Sequence, residues 1–87
     1  FNEDEQLLSL FPNPAYDQLF MLLQLSDEQN VVFSIMDITG KILYQHQSFL
    51  KNEIHKLTFD IQSLSQGLYA IQIKTKKHTF VHKFIKN

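Results

Sequence analysis

Lys56-Leu57-Thr58-Phe59-Asp60-Ile61 carries the clearest pattern in the chain, with Leu57, Phe59 and Ile61 alternating against Lys56, Thr58 and Asp60. Successive side chains of an extended strand point to opposite faces, so this period of two sends one row inward and the other into water. Tyr69, Ile71 and Ile73 against Ala70, Gln72 and Lys74 repeat it. Outward from these two, β-rich runs occupy residues 6–11, 18–25, 31–37, 41–47, 54–61, 68–74 and 78–86. Strands recurring roughly every ten to twelve residues, with turn signals between them, predict an antiparallel sandwich or barrel. The apolar run 19–23 does not alternate and reads as a central strand covered on both faces.

The turns have chemistry that can be named. Pro12-Asn13-Pro14 fixes two φ angles and removes two backbone donors, so the first strand stops there at a rigid corner. Asp37-Ile38-Thr39-Gly40 places an acceptor first and glycine fourth, as a type I turn prefers, and predicts a hairpin with positive φ at Gly40. Residues 27–30 form a polar tip, 48–53 a longer connection, and 75–77 a tight lysine-rich hairpin. Leu64-x-x-Gly67-x-Tyr69 sits where a sandwich crosses between sheets. It predicts a tyrosine corner, in which the phenol hydroxyl bonds a backbone group a few residues upstream, as in Ig-like sandwiches.

The 87 residues, 44% of them apolar, suffice for one small domain. No cysteine is present, so neither a disulfide nor thiolate zinc can hold the fold and the core must do so. Arginine is absent and the net charge is −1, with acids in the segment 2–5 and at Asp27 and Glu28. Lacking the residue suited to bidentate phosphate or guanine contacts, the chain is not expected to bind nucleic acid. No apolar run approaches the roughly 20 residues of a membrane-spanning helix. Beginning at Phe1 without an initiator methionine or signal peptide, it reads as the end of something larger.

Taken in order, these pieces resemble the C-terminal sorting domain of type IX secretion cargo. That family shows Pro-Asn-Pro after a first short strand, an Asp-x-x-Gly turn followed by a basic residue, Leu-x-x-Gly-x-Tyr, and a short terminal strand with lysine. Here the positions are Pro12, Asn13 and Pro14; Asp37, Gly40 and Lys41; Leu64, Gly67 and Tyr69; and Lys83, Phe84 and Ile85. The likeness runs from about Leu8 to Asn87, with Gln66 standing where the family often has proline or alanine.

The resemblance implies an all-β, seven-stranded antiparallel Ig-like β-sandwich with Greek-key topology that is itself an export signal. It implies a linker to upstream cargo over residues 1–5 and the sorting domain over 6–87. The cargo would pass through the periplasm of a Gram-negative bacterium, meet the outer-membrane translocon and its shuttle protein, and end at the cell surface or secreted. A sortase-like cysteine peptidase would usually remove the domain near or before residues 1–5 and attach the cargo to lipopolysaccharide. The first nine motif positions, from Pro12 to Tyr69, are the expected signal residues. Receptor contact is expected at Lys83, Phe84, Ile85, Lys86 and Asn87, because a last strand at a sheet's perimeter offers unpaired backbone groups to another strand. The same free edge would let two copies pair. The other reading is an extracellular Ig- or fibronectin-like spacer or carbohydrate-binding module.

Blander explanations cover the remaining polar residues. His78 and His82 share a strand face about 13 Å apart at ~3.3 Å per residue, too far for one ion, and His46 with His55 lacks a third ligand, so no metal or cofactor is expected. Serines, histidines and acids are present without a local catalytic motif, so the domain is read as no enzyme, with no catalytic residue. The aromatics are mainly core, with Tyr16, Phe49 and one of Phe80 or Phe84 as candidates for exposure.

Overall fold

A computed structural model describes residues 5–87, and the chain folds as seven antiparallel strands without a helix. They are β1 (Gln6–Phe11), β2 (Gln18–Gln24), β3 (Gln29–Asp37), β4 (Ile42–Leu50), β5 (Ile54–Asp60), β6 (Gly67–Lys74) and β7 (Thr79–Lys86). One sheet has the order β1-β2-β5 and the other β4-β3-β6-β7. The chain crosses between sheets after β2, β4 and β5, yet β5 lies beside β2 and β6 beside β3, the interlocked arrangement of a Greek-key, Ig-like sandwich. The expected fold class is therefore observed.

Alternation does what the sequence demands of it. Phe59 and Ile61 from one sheet and Tyr69, Ile71 and Ile73 from the other are buried, while Thr58, Asp60 and Lys74 face solvent. Phe33 of β3 meets Phe59 of β5 at 5.5 Å between ring centroids, which ties the sheets together across the core. Tyr69 stacks on Phe84 at 5.8 Å, a cross-strand pair of β6 and β7.

Several boundaries and burials differ from the sequence reading. β3 begins at Gln29, whose partner across the ladder is Leu50, so β4 runs through residues read as a connection and the link to β5 shrinks to 51–53. Composition concealed the start of β3 because the polar run from Asp27 to Asn30 carries turn signals. β2 is central, but it alternates after all: Leu19, Met21 and Leu23 are fully buried, while Phe20 and Leu22 lie half-covered on the outer face. Phe11 at 5.6 Å and the Lys56 ammonium at 5.3 Å from the Phe20 ring supply that partial cover.

The aromatics are also less uniformly internal than expected. Tyr16 and Phe49 are exposed as read, Phe80 is half-buried and Phe84 is wholly inside, but Tyr44 is exposed too. Tyr44 sits opposite Ile35 and so shares its inward-facing side of the sheet. A four-stranded sheet facing a three-stranded one leaves one strand overhanging, and β4 is that strand, exposed along most of its length.

Candidate functional site

The four sequence motifs, scattered from residue 12 to residue 85, meet at one end of the sandwich. The ladders make the connection: Asp37 pairs with Tyr69, Tyr69 with Phe84, Gly67 with Lys86, and Lys86 forms a parallel bridge with Ala15. Most of the motif residues have an assignable task there.

Asp37 closes the β3–β4 turn. Its Oδ1 accepts hydrogen bonds from the Thr39 N–H (2.9 Å), the Thr39 hydroxyl (2.6 Å) and the Lys41 N–H (3.1 Å), while the Gly40 N–H donates to the Asp37 carbonyl at 3.1 Å. The Thr39 hydroxyl above all, with those two backbone donors, holds the carboxyl below the ordinary aspartate range. Gly40 has φ 89°, the left-handed conformation that the turn was expected to need. The Tyr69 hydroxyl donates to the Ser65 carbonyl at 2.6 Å, four residues upstream. This is the expected tyrosine corner, placed at the crossing from β5 to β6. Leu64 packs its side chain against the core beneath it.

Pro12-Asn13-Pro14 is more than a corner. Both prolines follow cis peptide bonds, and the segment lies along the outer edge of β7. The Asn13 Oδ1 accepts the Ile85 N–H at 2.9 Å, the Ala15 N–H donates to the Ile85 carbonyl at 2.7 Å, and the Asn87 N–H donates to the Ala15 carbonyl at 2.8 Å. The first and last motifs therefore form one structure, in which Asn13 and Ala15 act as a short extra strand. Because the Ile85 N–H and C=O point away from β6, strand parity sends those of Lys83, Val81 and Thr79 the same way. Among the described residues, no backbone partner meets them. β7 is thus a perimeter strand, closed from Ile85 onward and open from Thr79 to Lys83.

The five residues expected to touch a receptor are divided by this geometry. Lys83 and Ile85 point outward, opposite Ala70 and Leu68, and are exposed. Phe84 is fully buried, and Lys86 is buried with its ammonium on the Asn87 carbonyl at 3.0 Å. Phe84 and Lys86 consequently serve the folded interior.

At the opposite end lies a cluster that no sequence signal announced. The Glu5 carboxylate, with no side-chain exposure, accepts from Gln29 Nε2 at 2.6 Å and the Thr75 hydroxyl at 2.7 Å, and lies 2.9 Å from His78 Nδ1. Burial alone would raise its pKa, but the contacts to His78, Thr75 and Gln29 outweigh it and hold the carboxyl below the ordinary glutamate range. Gln29 extends the network by accepting the Lys76 N–H at 2.8 Å. The linker expected over 1–5 lies, through residue 4, outside the described residues; Glu5 is anchored to the sandwich. No group of three or more His, Cys, Asp or Glu able to hold a metal occurs among the described residues.

The family model described as the secretion system C-terminal sorting domain matches residues 9–87. The chain belongs to this family. The match spans all four motifs and the whole described sandwich after the first half of β1. A search of curated proteins finds no match. As a type IX sorting domain, it acts with the type IX secretion machinery on an upstream cargo, leading to export to the cell surface or the medium, in a family that is generally non-catalytic.

Proposed function

We propose that this sorting domain is a folded, non-catalytic address that carries an upstream cargo through the periplasm to the outer-membrane translocon and its shuttle protein. The observation that carries this reading is the open stretch of β7. From Thr79, next to the Glu5 partner His78, to Lys83, near the end where the motifs meet, it offers outward N–H and C=O groups, and receptor segments add to such edges by strand pairing. Lys83 lies at the junction of edge and motifs. Phe84, Lys86 and the Asn13 cap hold the strand in place, so the terminal residues act on recognition largely through the fold. On this reading the peptidase cut lies before Glu5, because Glu5 is held by side chains from the start of β3 and the β6–β7 turn, and extended substrate segments must be free to leave the fold.

The test is export of a periplasmic reporter fused ahead of residues 1–87 in a bacterium that has type IX machinery. Truncating 84–87 would remove the buried Phe84 and confound folding with recognition. Val81→Pro instead deletes only an outward N–H, which an edge strand tolerates. Wild type should reach the medium or surface and Val81→Pro should stay in the periplasm while melting as wild type does. Normal export of a folded Val81→Pro chain would refute edge recognition.

A further inference from the structure

β4 is the other perimeter strand of the four-stranded sheet, and among the described residues no backbone group pairs with its outer side. The remaining edges carry safeguards. β1 is six residues long with a bulge between Leu7 and Ser9, β5 contains Lys56 and Asp60, and β7 contains Lys83 and is part-capped by Asn13. Short length, bulges and charges are the usual means of keeping an edge from pairing with another chain. From Leu43 to Leu50, β4 has no charge, proline or glycine, and Leu43, Tyr44 and Phe49 are exposed. Such an edge is a template for a further strand.

The sequence of β4 says which strand. Ile42-Leu43-Tyr44-Gln45-His46-Gln47-Ser48-Phe49-Leu50 has nearly the same character read in either direction from His46. Laid antiparallel on a second copy with His46 opposite His46, Gln45 meets Gln47, Tyr44 meets Ser48 and Leu43 meets Phe49, each twice. Backbone parity agrees. Asp37 sends its N–H to the Lys41 carbonyl, so Ile35, Phe33 and Val31 send theirs to β4, and their partners Tyr44, His46 and Ser48 point back at β3. Gln45, Gln47 and Phe49 therefore turn their N–H and C=O groups outward. The Gln45–Gln47 pairs can exchange both hydrogen bonds, and His46 falls on the two-fold axis as a non-hydrogen-bonded pair. Moving the axis to residue 45 or 47 would set Phe49 against Lys41 or Leu43 against Lys51, so the apolar match selects His46. The like charges that remain, Lys41 near Lys51 beyond each end, sit on exposed residues and are screened by salt.

We propose that β4 pairs antiparallel with β4 of a second copy of this chain, joining two four-stranded sheets into one of eight strands with a β7 at either perimeter. The symmetry closes, because each copy spends its only β4 edge on the other. The open stretch of β7 stays free in both copies, so the pair displays two of them. Leu50, opposite the Glu5 partner Gln29, lies about 26 Å from its counterpart at ~3.3 Å per residue, and the two cargo chains leave from opposite ends of the joined strands. The strip covered on each copy is about 30 Å long and ~10 Å deep, on the order of 600 Å² in total, below the roughly 1,200 Å² of stable complexes. The dimer is therefore reversible and forms where the chain is concentrated. The inference stands on the fold alone and does not depend on which strand a receptor reads.

The absence of cysteine supplies the test, made on the 87-residue chain, whose core comes wholly from its own strands. His46→Cys puts two thiols across the axis at a Cα separation of about 4.5 Å, within disulfide reach. Under mild oxidation it should form a covalent dimer roughly tenfold faster or more than Thr58→Cys, on the outer face of the other sheet, or Val81→Cys, on the β7 edge. In sedimentation the unmodified chain should be monomeric at about 10 μM and largely dimeric near 1 mM. Gln47→Pro deletes an outward N–H without touching a bond to β3, so it should stay monomeric at that concentration and melt as wild type does. A wild-type chain that is monomeric near 1 mM, or a His46→Cys chain that bridges no faster than both controls, would overturn the pairing. Dimerisation undiminished in folded Gln47→Pro, or bridging fastest from Val81→Cys, would place association on another surface and overturn it equally.

Discussion

Glu5→Gln is the most demanding test of how the domain holds its entry point. The substitution keeps side-chain size but removes the charge that Gln29, Thr75 and His78 converge on at 2.6–2.9 Å. Hydrogen bonds to a charged group contribute about 1.5–3 kcal/mol, and the glutamine amide would bring its own N–H groups against these donors. A loss of about 2 kcal/mol corresponds to a fall in Tm of roughly 8–16 °C for a domain of this size. The pH dependence gives an independent check. Because the folded carboxyl sits below its ordinary range, its contribution is fully present above the unfolded value and is lost as pH falls through the folded one. Thermal unfolding at pH 7 should separate wild type and variant clearly, and the gap should narrow under acid as wild-type Glu5 takes up a proton. Equal melting at neutral pH, or a gap that persists unchanged once the carboxyl is protonated, would refute the account of Glu5 as an ionised anchor.

Other substitutions probe the motif end. Tyr69→Phe removes the hydroxyl bonded to the Ser65 carbonyl and should cost about 1 kcal/mol, seen as a Tm lower by roughly 4–8 °C. Asn13→Ala should leave the fold intact but free the Ile85 amide, whose hydrogen exchange should then accelerate severalfold while the amides of β3 do not change. Phe84→Ala should cost about 3–5 kcal/mol by emptying a fully buried site, enough to unfold much of a marginal domain in urea titration.

The fold was legible because seven β-rich runs recur at regular spacing, two of them plainly alternating, and their turns contain residues of restricted conformational use. Leu57, Phe59 and Ile61 needed only the period of two, and the Asp37 turn and Tyr69 corner needed only local spacing. What stayed hidden depends on separations that no local pattern encodes. Asn13 and Ile85 are 72 residues apart, and Glu5 and His78 are 73 apart. Glutamate before a first strand reads as solvated linker, and only the facing loops show it to be buried. The exposure of Tyr44 had a similar cause: its strand is correct, but its position outside the reach of the opposing sheet belongs to sheet order.

The placement of the two clusters constrains how a cargo can be handled. Glu5 secures the incoming chain at one end of a sandwich whose longest extent is 40 Å, while Asn13, Asp37, Tyr69 and Lys86 gather at the other. β1 runs between them, paired to β2 from Gln6 to Phe11. The open edge of β7 begins at Thr79, next to the Glu5 partner His78, so only a receptor that grips the motif end, near Lys83, leaves the cargo attachment on the far side. Cargo size then has no steric route into the recognition step. If instead the Glu5 end were gripped, bulky cargo would slow recognition. Matched reporters of increasing size should thus bind with the same affinity to isolated receptor, and a systematic fall with size would place the contact at the wrong end of the molecule.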